Sequence, residues 1–229
     1  PGGSLGRHFG WVYDGIFQTN EEVTNHAFQS SGTAPGDIRF KNLNGDNVIN
    51  DDDRTFIGNA LPDFYYGLNL TAEYKNFDFT FFASGSSGAV AINNQYRALM
   101  SSQSSGNTNY HEDILGRWTP TNTNAEVPRM IFLDPNLNGR ASDRPEWLQS
   151  TNYLRLNTIS IGYSLPQGIL DRVKLSRVRF YVTGQNLHTF TPYKGFNPDF
   201  QSISILAPGF DFGTYPRPRT YMAGLQLSF

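Results

Sequence analysis

The stretch that most constrains this chain is its last ten residues, Thr220 to Phe229. Tyr221, Ala223, Leu225, Leu227 and Phe229 fall on one parity, and Thr220, Met222, Gly224, Gln226 and Ser228 on the other. Successive side chains of a strand point to opposite faces, so this is a two-faced strand with one apolar side. It runs to the final residue, where a water-soluble domain usually carries a frayed polar tail. A chain that stops on an aromatic at the apolar face of a strand reads as the closing strand of an outer-membrane β-barrel. That reading demands neighbours of similar length and alternation.

The chain supplies them. Over Asp63–Tyr74, Phe64, Tyr66, Leu68, Leu70, Ala72 and Tyr74 share a face, with Tyr65, Gly67, Asn69, Thr71 and Glu73 opposite. Lys75-Asn76 is a tight turn. Phe77, Phe79, Phe81 and Ala83 continue the apolar face, with Asp78, Thr80 and Ser84 opposite; Phe82 breaks the pattern. In Tyr153–Leu165, Ile159, Ile161, Tyr163 and Leu165 are in phase while Leu154 and Leu156 are not, which predicts a bulge near Asn157. Arg177–Gln185 alternates Val178, Phe180 and Val182 with Arg179, Tyr181, Thr183 and Gln185. Gly10–Thr19 and Asp37–Lys41 are β-like, Asn20 is placed to cap a short helix reaching about Phe28, and another helix is expected over Asn94–Ser101. The long connections Ser84–Ser150 and Pro192–Arg219 have no sustained period, and connections of such length are more often functional than idle.

A soluble β-sandwich also alternates, so three further features choose the solvent. Ten steps from Phe64 to Tyr74 cover roughly 33 Å, which at the tilt of a barrel strand spans the apolar band of an outer membrane. Phe64 and Tyr66 at one end of that face, with Tyr74 and Phe77 at the other, match the aromatic girdles of two water–lipid interfaces. Connections alternate short (Lys75-Asn76, Pro166–Ser176) and long, as periplasmic turns alternate with extracellular loops. The fold class expected is therefore all-β: a portion, about six strands, of a large antiparallel transmembrane barrel with long extracellular loops. Six strands cannot close in lipid, so the barrel reading requires further strands from a longer polypeptide; the opening Pro1-Gly2-Gly3, without Met or signal peptide, reads as either a removed leader or a piece of something longer.

The net charge of −2 gives no case for nucleic acid, and the absence of cysteine leaves no disulfide framework or thiolate site. For catalysis there is little to use. His8, His26, His111 and His188 are scattered and read as surface or loop residues, with no HExxH spacing, so no catalytic residue is assigned and the chain reads as a non-enzyme. Asn69-Leu70-Thr71 fits a glycosylation sequon but lies within a strand, and reads as coincidence. Tyr193, Phe196, Phe200, Phe210, Phe212 and Tyr215, with Trp118 and Trp147, allow a sugar-stacking platform, although ordered packing of long loops explains them better. No substrate-binding residue is assigned.

One loop invites a metal. In residues 42–53, oxygen-bearing side chains fall at Asn42, Asn44, Asp46, Asn50 and Asp53, positions 1, 3, 5, 9 and 12 of an EF-hand-like loop, with the Val48 carbonyl at position 7. A structural calcium ion on the extracellular side is the expectation, with Ile49 anchoring the loop. Asn42, Asn47 and Asp53 stand where Asp, Gly and Glu are usual, so affinity should be modest. The competing reading has Asn50 cap a short helix whose dipole Asp51 to Asp53 complement.

The segments YDGIFQTNEEV (13–23), PGDIRFKNLNGDNVINDDDRTFIGNALPDFYYGLNL (35–69), GRWTPTN (116–122), SDR (142–144), YLRLNTISIGYSLP (153–166), RFYVTGQNLHTFTPYKGFNPD (179–199) and YPRPRTYMAGLQLSF (215–229) together resemble the C-terminal part of the SusC/RagA family. These are TonB-dependent outer-membrane transporters of the Bacteroidetes. The resemblance implies a barrel of about twenty-two strands, of which this is the last quarter. It also implies an N-terminal plug and a TonB-contacting segment outside this chain, a SusD-like surface lipoprotein partner, and import of glycan oligosaccharides or peptides across the outer membrane. A soluble, calcium-dependent carbohydrate-binding β-domain is the alternative, separable by whether detergent is needed.

Overall fold

The computed structural model describes residues 3–100, 109–145, 147–202, 204 and 207–229. β1 (Arg7–Trp11) and β2 (Tyr13–Ile16) take up the aromatic stretch. α1 (Asn20–Asn25) is capped by Thr19, one residue earlier than expected: the Thr19 hydroxyl accepts the Glu22 amide at 3.2 Å, and the Glu22 carboxylate accepts the Gln18 amide at 2.8 Å. The helix stops short of Phe28, whose backbone bonds to Asn47 and Ile49 instead. β3 (Ile38–Phe40), a short 3₁₀ turn at Asp51–Asp53 and β4 (Arg54–Asn59) follow. β4 has no alternation to announce it; it forms by antiparallel pairing with β1. Then come β5 (Phe64–Tyr74), β6 (Phe77–Ser87), β7 (Val90–Asn93), α2 (Asn94–Met100), β8 (Leu148–Ser150), β9 (Tyr153–Ser164), α3 (Gln167–Val173), β10 (Arg177–Phe190), β11 (Phe210–Asp211) and β12 (Thr220–Ser228). α2 is the helix expected there; Ser101, its expected last residue, lies outside the described residues.

The chain divides into two compact units. One comprises Pro62–Gly88, Thr151–Tyr193 and Tyr215–Phe229, and its strands form one antiparallel sheet in the order β12-β10-β9-β6-β5. Directly opposed residues share a face, so register tests the alternation. Ala72, Phe79, Ile161, Val182 and Ala223 form one continuous cross-strand row, and Tyr74, Phe77, Tyr163, Phe180 and Leu225 the next. Between them, Glu73, Asp78, Gly162, Tyr181 and Gly224 lie on the other face.

The expected bulge is present. Phe82 pairs with Thr158 and Ala83 with Leu156, leaving Asn157 as the extra residue. Its side-chain oxygen accepts the Ser84 amide at 3.1 Å and the Ser84 hydroxyl at 3.0 Å, filling the break in the ladder. The inserted residue moves Leu154 and Leu156 into phase with the apolar face, which resolves their mismatch in the sequence.

Glycines in this sheet make room for long neighbours. The Tyr66 ring lies over Gly85, and its hydroxyl donates to the Tyr153 carbonyl at 2.7 Å. Asp78 on β6 and Arg179 on β10 reach each other across the intervening β9, over Gly162, with Arg179 Nε 2.8 Å from Asp78 Oδ1. A Cβ at Gly162 would stand 2.4 Å from both partners. Gly162→Ala in the parent barrel is therefore expected to displace this ion pair and to cost about 1–3 kcal/mol, as overpacking does. An unchanged unfolding midpoint would show that the pair has room to move.

The other unit comprises Pro1–Leu61, Ala89–Ser150 and Lys194–Thr214, and so collects the two long connections between strands of the sheet. It holds the β1–β4 and β2–β3 pairs and a small sheet in the order β11-β7-β8. Among the described residues three small apolar clusters serve it: Ile38, Phe40 and Ile49; Ile92, Trp147 and Leu148; Tyr96, Met100 and Ile114.

Polar pins do as much as these clusters. Gln29 acts as a strand neighbour to β3, its Nε2 donating to the Ile38 carbonyl at 2.9 Å and its Oε1 accepting the Phe40 amide at 2.8 Å. Asp37, fully buried, takes a bidentate Arg129 guanidinium at 2.8 Å on each oxygen and also accepts the Asn138 side-chain amide and the Ala34 backbone amide. Asn136 and Asn138, in a stretch without period, are buried against the Ile38 backbone.

Candidate functional site

The functional surface is the two-faced sheet. Its strands run 9 to 14 residues. Leu68, Leu70, Phe79, Phe81, Ile159, Ile161, Phe180, Val182, Leu225 and Leu227 all fall on one face by register, and Asn69, Glu73, Asp78, Arg179 and Gln185 all fall on the other. The polar face carries the Asp78–Arg179 pair and a Ser160–Thr183 hydroxyl bond of 2.7 Å. The tight turn at Lys75-Asn76 and the α3 connection lie at one end of the sheet, and all five chain crossings to the loop unit leave from the opposite end, near Phe64, Ser87, Tyr153, Phe190 and Thr220.

The apolar face is uncovered. Leu70 is 49 % exposed, Ile161 53 %, Val182 62 % and Leu225 53 %. In a soluble sandwich a second sheet would bury these side chains; here no layer of the described residues does so, and a continuous aliphatic face of this extent is unsuited to water.

The six positions assigned to calcium lie on one loop that closes on itself. Both oxygens of Asp53 are taken by backbone amides, Leu43 at 2.8 Å and Asn50 at 2.9 Å. Asp46 accepts the Val48 amide at 2.8 Å and the Asn44 side-chain amide at 2.9 Å. The side-chain oxygens of Asn42, Asn44 and Asn50 accept the amides of Gly45, Asp46 and Asp52. Asn50 caps the Asp51–Asp53 turn in a capping box, as the competing reading has it, and Ile49 is buried in the apolar cluster of the loop unit.

Comparison with known proteins agrees with the sheet geometry. Across its whole length the chain is 36 % identical to TonB-dependent receptor P3 of Formosa agariphila, covering 22 % of that protein. It is 28 % identical to TonB-dependent receptor SusC of Bacteroides thetaiotaomicron over 85 % of the chain and 18 % of the relative. Among solved structures, the RagAB peptide transporter superposes with a TM-score of 0.74 at 22 % identity, over 97 % of this chain and 22 % of that one. No protein-family model matches. The chain matches the SusC/RagA family of TonB-dependent receptors. It spans about a fifth of the length of the curated relatives it matches. Those relatives are named as receptors, and the solved neighbours as transporters.

The loop aromatics divide by role. Trp118, Trp147 and Tyr193 are buried, and Trp118 Nε1 donates to Gln18 at 2.9 Å, so these pack structure, the simpler of the two expectations. Phe196, Phe212 and Tyr215 remain exposed. The histidines also divide. His111 caps the Glu112–Gly116 turn and His188 packs on Phe190, but His8, read from the sequence as a surface or loop residue, is a buried strand residue. Its ring is covered because β1 pairs with β4 and Phe210 meets it edge-on at 5.6 Å, contacts that no local pattern announces.

One clasp joins the two long connections. Tyr96 donates to Asp113 at 2.5 Å, and Lys194 Nζ stands 3.2 Å from both the Tyr96 hydroxyl and the Asp113 carboxylate. The Tyr96 hydrogen bond, then the Lys194 ammonium, hold the Asp113 carboxyl below its ordinary range against an opposing effect of burial. A carboxyl depressed in the folded state stabilises it above the unfolded pKa of about 4 and loses that contribution as pH falls through the folded value. Amide protection in the Glu112–Gly116 turn should accordingly hold from neutral pH to about pH 4 and fall below it. Asp113→Asn should flatten this acid limb; an identical limb in that variant would place the transition elsewhere.

Proposed function

We propose that this chain is the C-terminal part of the barrel of an outer-membrane TonB-dependent importer, working with a SusD-like surface lipoprotein to take up glycan oligosaccharides or peptides. The uncovered apolar face carries the reading. Long strands put aliphatic side chains toward lipid and Asp78, Arg179 and Gln185 toward a lumen, and the long connections are assigned to the extracellular side, where such connections belong. TonB contact falls to a part of the parent protein N-terminal to this chain. The chain has no enzymatic role in this reading: its titratable clusters are ion pairs and caps with structural work to do.

The test is uptake. Cells carrying the parent gene should accumulate labelled oligosaccharides or peptides, and lose this on deletion of the gene or of TonB. Equal uptake by the deletion strain would refute the importer. The 229-residue chain alone should need detergent, since open strand edges and an uncovered apolar face drive aggregation. A soluble monomer with cooperative unfolding would revive the carbohydrate-binding alternative.

We also propose a weak structural calcium contact on the loop of residues 42–53, at Asn42, Asn44, Asp46, the Val48 carbonyl, Asn50 and Asp53. The ion would use second lone pairs of oxygens that already accept amide protons, so calorimetry of the parent is expected to give a dissociation constant of about 10⁻³ M or weaker. Asp46→Ala is the control, and equal uptake by both proteins would remove the site.

A further inference from the structure

Arg97 of α2 stacks on Trp147 but has no carboxylate partner among the described residues. Its guanidinium lies 3.7 Å from the centroid of the buried Trp147 ring, half-buried itself. Its hydrogen bonding to described residues is one long contact, 3.4 Å to Asn94 Oδ1, and no described carboxylate pairs with it. Burial lowers its pKa. Arg129, by contrast, has Asp37, and Arg179 has Asp78. A guanidinium carries five donors in a planar fork matched to a carboxylate, and partly burying one without an acceptor is costly.

Arg97 lines an open cavity of about 290 Å³ whose walls come from all three segments of the loop unit, including Arg7, His8, Trp147 and Phe210. None of the described lining residues is acidic. His8, 5 % exposed, lines the same cavity, and its buried Nε2 has no hydrogen-bond partner among the described residues. Buried polar atoms without partners are rare in native structures. Here a guanidinium with no described carboxylate partner lines a cavity that a second arginine, Arg7, also lines. Aromatic and aliphatic walls lower the local dielectric, which strengthens a charge-assisted bond formed inside.

We propose that this cavity binds the carboxylate of a small anionic ligand, with the Arg97 fork as its anchor, held in plane by Trp147, and Arg7 as a second positive charge. The chemistry fits either a uronic acid unit of an oligosaccharide or the C-terminal carboxylate of a short peptide. Placing that group on an import route rests on the importer reading above; the binding itself does not.

The parent protein, purified in detergent, is titrated at equilibrium with digalacturonate and its methyl ester, and with triglycine and its C-terminal amide. Tryptophan fluorescence gives the signal, and Trp147→Phe identifies its source. One acid should bind on the order of tenfold or more tightly than its neutral counterpart, and which one does so names the source of the carboxylate. Arg97→Gln should abolish that preference, and Arg97→Lys, which keeps charge but loses the fork, should leave part of it. If Arg97→Gln does not fold, the wild type and Arg97→Lys still decide. No acid preference in the wild type, or a full preference retained in either Arg97 variant, overturns the site. A parent that imports without acid preference removes the site alone; one that shows the preference but does not import removes the importer reading alone.

Discussion

Asp37→Ala in the parent protein is expected to destabilise the loop unit by about 3–5 kcal/mol, the cost of breaking a buried charge pair from one side. The Asp37 side chain has no exposure, and its two oxygens accept four hydrogen bonds, from Arg129 twice, Asn138 and Ala34. Removing it strands the Arg129 guanidinium and releases Asn138, whose oxygen accepts the Ile38 amide at 2.9 Å. The effect should be confined to one unit: exchange of the Ile38 and Phe40 amides should accelerate, while amides of β6 and β9 keep their protection. Asp37→Ala with Arg129→Met should recover part of the loss, because no charge is then left buried alone. A single mutant whose β3 amides exchange at the wild-type rate would mean that the clusters around Ile38 and Trp147 suffice without the pin.

Leu70→Arg should cost about 2–4 kcal/mol when the parent barrel folds into bilayers, the range for a cation near the midplane on a lipid-facing position. Leu70 lies mid-strand in β5, opposite Phe81, in the row that continues to Ile159. Thr71→Arg, one residue along and in the row of Thr80, Ser160 and Thr183, should cost a small fraction of that, because its side chain points to the polar face. Two adjacent positions with opposite sensitivities are a direct reading of which solvent each face meets. Equal penalties at both would argue that the sheet is covered on both sides and would return the sandwich.

The two units differ in how much of them could be read ahead of the structure. Strand alternation is a local property: backbone stereochemistry sends side chains to alternate faces, so Phe64–Tyr74 announces its own apolar side whatever the rest of the chain does. The mismatch of Leu154 and Leu156 located the Asn157 bulge for the same reason, since one inserted residue is the local correction for a change of phase. The motifs of residues 35–69 and 179–199 carried the resemblance to SusC/RagA transporters, and with it the barrel.

The loop unit was not legible in this way. Residues 129–142 have no period because they make no regular element; Asp134, Asn136 and Asn138 are buried by hydrogen bonds to partners such as Ile38, 100 residues away from Asn138. β4 exists only through β1, and His8 is buried only because Phe210 and β4 reach it. Arg97 is an ordinary helical arginine in sequence, and only the tertiary structure places Trp147 beneath it with no described acid paired to it. Alternation determined the two faces of the sheet because it depends on neighbours in the chain. The loop unit and its cavity were decided by contacts between distant segments, which a one-dimensional pattern does not record.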